Sequence, residues 1–320
     1  MKLRMAGVQY SPGIGQVERN VARIRALVSS LNRPVDLLVL PELAVTGYNF
    51  KSAAEIRPYL ETQSGCSYQL AKELSERHSC TTVIGYPEND HGTTYNSALV
   101  VDQQGRVVYN YRKMHLYYTD EAWGCKENPD RSFASVDLPL GPEGKVVRAS
   151  IGICMDLNPY QFQAPFSAFE FAMSAYFNDS RLLIVPTAWL DSDSPDITES
   201  LSDAEKSARA KTVDEQLRSG TYPDGAVTSA RLIDYWILRL FPFLAHPNNG
   251  LSAPSHRVTA VIANRTGLED KTLYGGSSCI MQFDRSVPAS LQIDQLNPSV
   301  FVVASAGQAT DEVVYAEVDV

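Results

Sequence analysis

Apolar and polar residues follow two different periods along the chain, which predicts a succession of helices and strands. The segment VERNVARIRALVSSL (17–31) has apolar residues three or four positions apart, as an amphipathic helix requires. The same spacing predicts helices in SYQLAKELSERH (67–78), APFSAFEFAMSAY (164–176) and VTSARLIDYWILRLFPFLA (227–245). Helices of this kind need an apolar sheet surface or another helix to cover their buried face.

Short runs rich in β-branched and aliphatic residues separate these helices and predict strands. The runs are LRMAGVQY (3–10), VDLLVL (35–40), TTVIGYPE (81–88), VVRASIGICM (146–155), RLLIVPTAWL (181–190), RVTAVIANRTG (257–267), GGSSCIMQFD (275–284), VFVVASA (300–306) and EVVYAEVDV (312–320). A QQG turn inside YNSALVVDQQGRVVYNYRK (95–113) predicts a hairpin. We therefore expect an α/β fold with a sheet-rich core, in one domain over residues 1–320. LLVLPELA (37–44) resembles LLIVPTAW (182–189), which hints at two similar halves.

Residues 191–229 depart from this pattern because they contain few apolar residues and carry mixed charge. We interpret them as a polar insertion that is helical around SDAEKSARAKTVDEQL (202–217). Such a segment is either a solvated loop or a lid over a functional site, since long loops in compact domains are often functional.

Composition narrows the classes of function. The net charge of −9 disfavours nucleic acid and anionic membranes as partners, because both select clustered Lys and Arg. The beginning of the chain lacks the apolar core of a secretory signal, and no apolar run reaches the ~18–20 residues of a membrane span. The five cysteines form no C-x-x-C pair, and the five histidines do not cluster near them. We expect a cytoplasmic location, with the nucleus as a second option, free thiols, and no metal or other cofactor.

Three reactive side chains each follow a predicted strand. Cys154 is the last residue but one of VVRASIGICM, Glu42 follows VDLLVLP, and Lys113 ends the hairpin segment inside an aromatic stretch. Taken singly, each has an ordinary interpretation, as a small core residue or a solvated charge. Taken together, a thiol, a carboxylate and an ammonium suffice for acyl transfer, as nucleophile, general base and oxyanion stabiliser. The sequence does not show that the three meet in space.

The segments around these residues resemble a known family. LPELAVTGY, YRKMHLYYTDEAWG and IGICMDLNPY resemble, in order and spacing, the three catalytic segments of the nitrilase, or carbon–nitrogen hydrolase, superfamily. This resemblance implies a four-layer α-β-β-α sandwich. It also implies Glu42 as general base, Lys113 as oxyanion stabiliser and Cys154 as nucleophile. Further roles implied by the resemblance are a supporting carboxylate at Glu121, an oxyanion-hole N–H at Met155, and pocket residues at Thr187 and Trp189.

Within the superfamily, HLYYTDEAWGC, GICMDLNPYQFQAPF and VIANRTGLEDKTLYGGSSCIMQFD are most similar to the fungal protein N-terminal amidases. That resemblance implies hydrolysis of the side-chain amide of N-terminal Asn or Gln in peptides and proteins, as the first step of an N-degron route. The α-ammonium of such a substrate calls for a carboxylate. Candidates are Asp120 and Asp156, although Asp156 more commonly orients the turn behind the nucleophile. Further candidate pocket residues are Tyr48, Asn158 and Tyr160.

Two other interpretations stay open at this point. A small-molecule amidase of the same superfamily, such as an ω-amidase, a ureide hydrolase or a nitrilase, would have the same catalytic residues. A non-catalytic binding protein could retain the fold, although it would have no reason to keep Glu42, Lys113 and Cys154 together. The preference for Asn or Gln and the oligomeric state are not indicated by the sequence.

Overall fold

A computed structural model describes residues 2–141 and 144–320, and its strands form two six-stranded sheets. The first sheet has the order β14-β1-β2-β3-β4-β5. Its strands are β1 (Lys2–Gln9), β2 (Leu37–Val39), β3 (Thr81–Asp90), β4 (Thr93–Val101), β5 (Val107–Arg112) and β14 (Glu312–Asp319). Strands β1, β2 and β3 are parallel, and the remaining pairs are antiparallel.

The second sheet repeats this arrangement with the order β13-β12-β9-β8-β7-β6. Its strands are β6 (Ser135–Leu140), β7 (Lys145–Ile151), β8 (Leu182–Thr187), β9 (Val258–Asn264), β12 (Cys279–Phe283) and β13 (Val300–Ser305). Strands β7, β8 and β9 are parallel. The similar sequences at 37–44 and 182–189 therefore begin at the middle strands of the two parallel triplets, β2 and β8. A separate hairpin joins β10 (Thr266–Glu269) to β11 (Thr272–Gly275).

The two sheets pack face to face and helices cover their outer faces. The helices are α1 (Val17–Ser29), α2 (Ala53–Ile56), α3 (Cys66–His78), α4 (Tyr118–Ala122), α5 (Glu170–Phe177), α6 (Asp203–Ser219) and α7 (Ala230–Arg239). Side chains alternate along each strand, so that Leu3 and Met5 enter the core between the sheets while Ala6 and Val8 pack beneath α1. Helices α5 and α7 cover the second sheet in the same way. The predicted four-layer α-β-β-α sandwich is confirmed.

Several predicted elements differ from the structure in their bounds. The helix expected over 227–245 spans only Ala230–Arg239 and is followed by a 3₁₀ turn at Phe241–Phe243. The helix expected over 164–176 begins only at Glu170, because Pro165 precedes short 3₁₀ turns and Phe169 adopts a left-handed φ of 46°. The segment RVTAVIANRTG is divided between β9 and β10, since the chain leaves the second sheet after Asn264.

The segment 191–229 contains one long helix, α6, which is capped by Ser202 and ends at Gly220. Its predicted helical part is therefore present, two residues longer at the C-terminal end than the pattern indicated. That residues 1–320 form one domain stays a prediction. Within the described residues, no helix is long and apolar enough to cross a membrane.

The topology brings several strand ends to one edge. Strands β2 and β3 are parallel, and β4 and β5 reverse direction twice, so the carboxyl end of β5 lies at the same edge as that of β2. Glu42 and Lys113 therefore extend from the same edge of the first sheet, although β3 and β4 lie between their strands. Cys154 follows β7 in the facing sheet. Carboxyl ends of parallel strands are a common place for ligand sites in α/β folds.

Candidate active site

Glu42 lies in a tight loop that packs directly against β3. A Cβ atom on Gly85 would lie 2.6 Å from the Glu42 Cα and from the Pro41 carbonyl oxygen, so only glycine permits this approach. The next residue, Leu43, has a φ of 44°, and this left-handed turn brings the chain back towards the sheet. The Glu42 side chain is only 1% exposed. The loop therefore fixes a carboxylate in an almost dry position.

Lys113 forms a buried ion pair with two carboxylates. Its Nζ lies 2.7 Å from Glu42 Oε1 and 2.6 Å from Asp120 Oδ2. The Asn96 side-chain amide donates to Glu42 Oε1 at 2.7 Å and to Asp120 Oδ1 at 2.9 Å. The Ala188 N–H donates to Glu42 Oε2 at 2.8 Å. These charge-assisted bonds compensate the desolvation of the three ionised groups, which burial otherwise makes unfavourable.

Burial and neighbouring charges shift the pKa values at this centre. Burial raises the pKa of Glu42, and Lys113 and Asn96 oppose that rise. Burial would lower the pKa of Lys113, but the carboxylates of Asp120 and Glu42 raise it well above its ordinary value. Lys113 is therefore a permanent ammonium. Glu42 is a carboxylate with increased basicity, which suits a general base.

The Cys154 thiol faces this ion pair from the second sheet. The chain leaves β7 through Gly152, where a Cβ would lie 2.8 Å from the Phe171 ring, and Cys154 then takes a left-handed φ of 44°. Burial raises the pKa of the thiol well above its ordinary value; Glu42 raises it further and Lys113 opposes the rise. The thiol is thus protonated at rest and requires a base to become a nucleophile.

Asp156 holds the turn that presents Cys154 and does not enter a pocket. Its carboxylate accepts hydrogen bonds from the N–H groups of Ile153, Met114 and His115 and from the Tyr111 hydroxyl. These partners surround both oxygens, and the residue is 0% exposed. These contacts favour the alternative that Asp156 orients the turn over its assignment as a ligand for the substrate ammonium. This anchor also ties the lysine segment to the cysteine turn.

The carboxylate that supports Lys113 is Asp120 and not Glu121. Helix α4 turns by about 100° per residue, which directs Asp120 inward and leaves Glu121 exposed. Asp120 Oδ2 also accepts the Tyr117 N–H at 2.8 Å and so caps the helix. Asp120 is buried in the ion pair and does not line the adjacent cavity, so it is no ligand for a substrate ammonium either. Both assignments are corrected.

This correction predicts different effects for two neighbouring substitutions. We expect Asp120→Asn to lower kcat/KM about 100-fold and the free energy of unfolding by about 2–4 kcal/mol, because Lys113 loses one of two buried counter-charges. Glu121→Gln should change stability by less than about 0.5 kcal/mol, as for other exposed positions. Steady-state kinetics and urea unfolding of both variants measure these two losses. If Glu121→Gln lost more activity and stability than Asp120→Asn, Glu121 would be the supporting carboxylate that the family resemblance implies.

Cys154 opens into a cavity of about 340 Å³ at this edge of the sheets, formed by the connections that follow the strands, including the segment after β8, and by α7. The wall is largely aromatic and aliphatic. Its lining residues are Tyr48, Tyr117, Cys154, Met155, Asn158, Phe162, Ala188, Trp189, Leu190, Asp191, Ser192, Ile197, Ser229, Arg231, Leu232 and Tyr235. The volume suits a small side chain with its adjoining backbone rather than a folded partner.

The structure places some of the predicted pocket residues in this wall and excludes others. Tyr48, Asn158 and Trp189 line the cavity, as does Met155, which belongs to the first turn of a 3₁₀ helix after Cys154. Thr187 does not line it, because its hydroxyl is buried against Asn264 Oδ1 at 2.8 Å. Tyr160 also lies outside, with its hydroxyl bonded to Glu127. These last two assignments are corrected.

Sequence reasoning missed two polar residues at the site. Asn96 bridges Glu42 and Asp120. The one indication of this role in the sequence is that Asn96 is a polar residue within the apolar strand YNSALVV. Asp191 begins the polar segment 191–229 and lines the cavity together with Ser192 and Ile197. The first part of that segment therefore forms wall of the site and is not simply a solvated loop.

Asp191 is the carboxylate among the described residues that line the cavity. It is 8% exposed, and its Oδ1 accepts the Asp193 N–H at 2.7 Å. Its own N–H donates to the Leu273 carbonyl at 2.9 Å, which fixes it beside β11. Burial raises the pKa of this carboxyl. No group of acidic, histidine and cysteine side chains within residues 2–141 and 144–320 has an arrangement suited to holding a metal ion.

The first half of the chain matches a known family model. Residues 4–158, which include Glu42, Lys113 and Cys154, match the carbon–nitrogen hydrolase model. The chain is 30% identical to the protein N-terminal amidase of Saccharomyces cerevisiae, over 99% of this chain and 95% of that protein. It is 33% identical to the protein N-terminal amidase of Schizosaccharomyces pombe, over 88% of this chain and 92% of that protein.

Solved structures agree with these relatives. An N-terminal amidase crystallised with an Asn-Glu-Ala peptide superposes with a TM-score of 0.86 and 29% identity, covering 99% of this chain and 97% of the other. The structure with a Gln-Val peptide gives a TM-score of 0.87 and 28% identity at the same coverage. Sequence and fold agree over the whole length and not only around the three reactive side chains. The chain therefore belongs to the carbon–nitrogen hydrolase, or nitrilase, superfamily, in the group of the protein N-terminal amidases.

Proposed function

We propose that this protein hydrolyses the side-chain amide of N-terminal Asn or Gln in peptides and proteins, releasing ammonia and leaving Asp or Glu. The observation that carries the proposal is the cavity, which joins the Cys154 thiol, above a buried Glu42–Lys113 pair, to the Asp191 carboxylate on its wall. The full-length similarity to N-terminal amidases supports the same substrate class, since two solved N-terminal amidase structures hold peptides that begin with Asn or Gln.

Acylation follows from the positions of four groups. Glu42 accepts the proton of the Cys154 thiol while the sulfur attacks the carboxamide carbon. The oxygen gains negative charge, and the Lys113 ammonium and the Met155 N–H stabilise it. The first N–H groups of a helical turn lack partners within the turn, so the Met155 N–H is suited to this role. Glu42 returns the proton to the amide nitrogen, the carbon–nitrogen bond breaks, ammonia leaves and a thioester remains.

Hydrolysis of the thioester uses the same groups in reverse order. Glu42 takes a proton from water, whose oxygen attacks the thioester carbon. Lys113 and the Met155 N–H again stabilise the oxyanion. The carbon–sulfur bond breaks, Cys154 recovers its proton and the new carboxyl group leaves with the peptide. The burial of Glu42 matters in both steps, because it raises the basicity of the carboxylate.

Recognition of a free N-terminus requires a group that binds its α-ammonium. In N-terminal Asn this ammonium is three bonds from the scissile carboxamide carbon, and in Gln it is four. One cavity must therefore hold both groups, and Asp191 supplies a carboxylate in the same cavity as Cys154. Within the described part of the chain only its Oδ1 is bonded, which leaves Oδ2 for the substrate. The aromatic side chains around it exclude water and strengthen this interaction.

The first test is ammonia release from two peptides that differ only in acetylation of an N-terminal Asn. We expect release from the free peptide and almost none from the acetylated one, because acetylation removes the cation and adds bulk. Equal release from both would indicate a general amidase. Release from neither, with turnover of small ω-amides, would move the protein to the small-molecule branch of the superfamily.

A substitution tests Asp191 directly. We expect Asp191→Asn to lower kcat/KM about 10- to 100-fold for the free peptide, as for loss of a hydrogen bond to a charged group. The loss should be small for a peptide that begins with succinamoyl, which is asparagine without its α-amino group. Asp193→Asn is the matched control, since Asp193 is exposed and is not among the residues of the cavity wall. Equal losses with both substrates would argue against ammonium recognition by Asp191.

The role implied for this reaction is the first step of an N-degron route, because the product exposes an N-terminal acid. Peptides and proteins with free N-terminal Asn or Gln are accordingly the proposed partners. A cytoplasmic location and the lack of nucleic-acid and membrane partners are part of the same proposal.

A further inference from the structure

The Tyr48 hydroxyl is a buried polar group without a protein partner. The side chain is 2% exposed and lines the cavity with Cys154. Its oxygen has no hydrogen-bond partner among the described residues. A buried donor left in this state costs free energy, so native proteins retain such groups mainly where they have another use.

The backbone around Tyr48 holds this hydroxyl in place. The Tyr48 and Asn49 N–H groups donate to Glu269 Oε2 at 3.2 and 2.9 Å. Glu269 also pairs with the buried Arg265 at 2.5 Å. Gly47, with a φ of 80°, allows the turn that precedes Tyr48. The hydrogen bonds from this backbone to Glu269 of the β10–β11 hairpin thus fix the position of the Tyr48 ring, and no hydrogen bond to its own hydroxyl is needed.

The charges near Tyr48 keep it a donor. Burial raises its pKa well above the ordinary value, and Asp120, Glu42 and Cys154 raise it further. Lys113 Nζ lies 5.6 Å from the ring centroid, so the ring is next to the ammonium that faces the developing oxyanion. A neutral phenol in this position offers one O–H to a ligand in the cavity.

We infer that Tyr48 is a further catalytic residue, whose hydroxyl donates a hydrogen bond to the carboxamide oxygen of the substrate as that oxygen becomes the oxyanion. The inference rests on the proposed amidase function and adds a third donor to Lys113 and the Met155 N–H. A donor that already lies in a water-poor site needs no reorganisation during the reaction, which is why such groups stabilise transition states.

Tyr48→Phe tests this role, since it removes only the hydroxyl. We expect kcat for the free Asn peptide to fall about 100-fold with KM within about threefold, as for loss of an oxyanion donor. We also expect the unfolding temperature to stay the same or rise, because an unpartnered buried group is removed. The two readouts together separate catalysis from a structural role.

Tyr86→Phe is the matched control. Tyr86 is equally buried, but its hydroxyl donates to Asn110 Oδ1 at 3.0 Å and the ring lies in the outer core beneath the helices. This variant should lose stability and keep kcat. A Tyr48→Phe variant with kcat within about threefold of the parent, with a rise in KM alone, or with a lower unfolding temperature overturns the inference. A parent protein that releases no ammonia from any N-terminal Asn or Gln peptide refutes the proposed function instead.

Discussion

Replacing Cys154 by alanine is expected to lower amide hydrolysis by about 10⁴-fold or more while the protein stays folded. The thiol is the nucleophile of the proposed mechanism, and neither Glu42 nor Lys113 can form the thioester without it. Alanine removes only the sulfur, so the turn at φ 44° and its anchor at Asp156 persist. Ammonia release measures the loss of activity, and the unfolding free energy of the same preparation shows whether the variant is folded.

Cys66→Ala is the control for this variant, because Cys66 is exposed and lies at the start of α3, in the outer helical layer. It should keep full activity. Rapid acid quenching with a slow substrate, followed by intact mass and peptide mapping, should locate the acyl group on Cys154 in the parent protein. An active Cys154→Ala variant, or an acyl group found on another cysteine, would contradict the mechanism.

Replacing Lys113 by methionine should produce the second large effect, on both stability and activity. The substitution leaves the Glu42 and Asp120 carboxylates buried without a cation, and breaking a buried pair in this way costs about 3–5 kcal/mol. The oxyanion also loses its ammonium, so kcat should fall about 10³-fold. Urea unfolding and steady-state kinetics under folded conditions measure the two losses.

The pH dependence of this variant identifies the cause of its instability. Burial raises the pKa of Glu42 already in the parent protein, and loss of the cation should raise it further. The folded variant then takes up a proton at a pH where the unfolded chain is ionised, so its stability falls as pH rises. The deficit relative to the parent should be smaller at about pH 5 than at about pH 8. A deficit independent of pH would point to lost packing instead of uncompensated charge.

Lys126→Met is the matched control for Lys113→Met. Lys126 lies thirteen residues further along the same connection, and its side chain is exposed. Its replacement should change the unfolding free energy by less than about 0.5 kcal/mol. If Lys126→Met lowered the unfolding free energy as much as Lys113→Met, the instability of Lys113→Met could not be attributed to the burial of Glu42 and Asp120.

The sequence by itself predicted the order of strands and helices and singled out three reactive side chains, and the resemblance to the superfamily implied the four-layer architecture. The spacing of apolar residues reflects which face of a strand or helix is buried. The pattern therefore predicts the strands around 37–39 and 182–187 and the helices at 17–29 and 66–78 from the sequence alone. Glu42, Lys113 and Cys154 each follow a strand, and their order along the chain agrees with the superfamily. The local sequence pattern was sufficient for these elements, because the residues that indicate each element lie within one segment of the chain.

The tertiary structure alone decided which polar groups surround the three reactive side chains. Asp120 and Glu121 are adjacent in sequence and chemically alike, and only the direction of α4 makes one the partner of Lys113. Asp156 and Asp191 are both carboxylates near strand ends, but one is surrounded by donors while the other lines the cavity. Asn96 and Tyr48 acquire their significance from contacts with residues that are distant in the sequence. Such roles depend on distances between distant segments and on burial, which no single-segment pattern encodes.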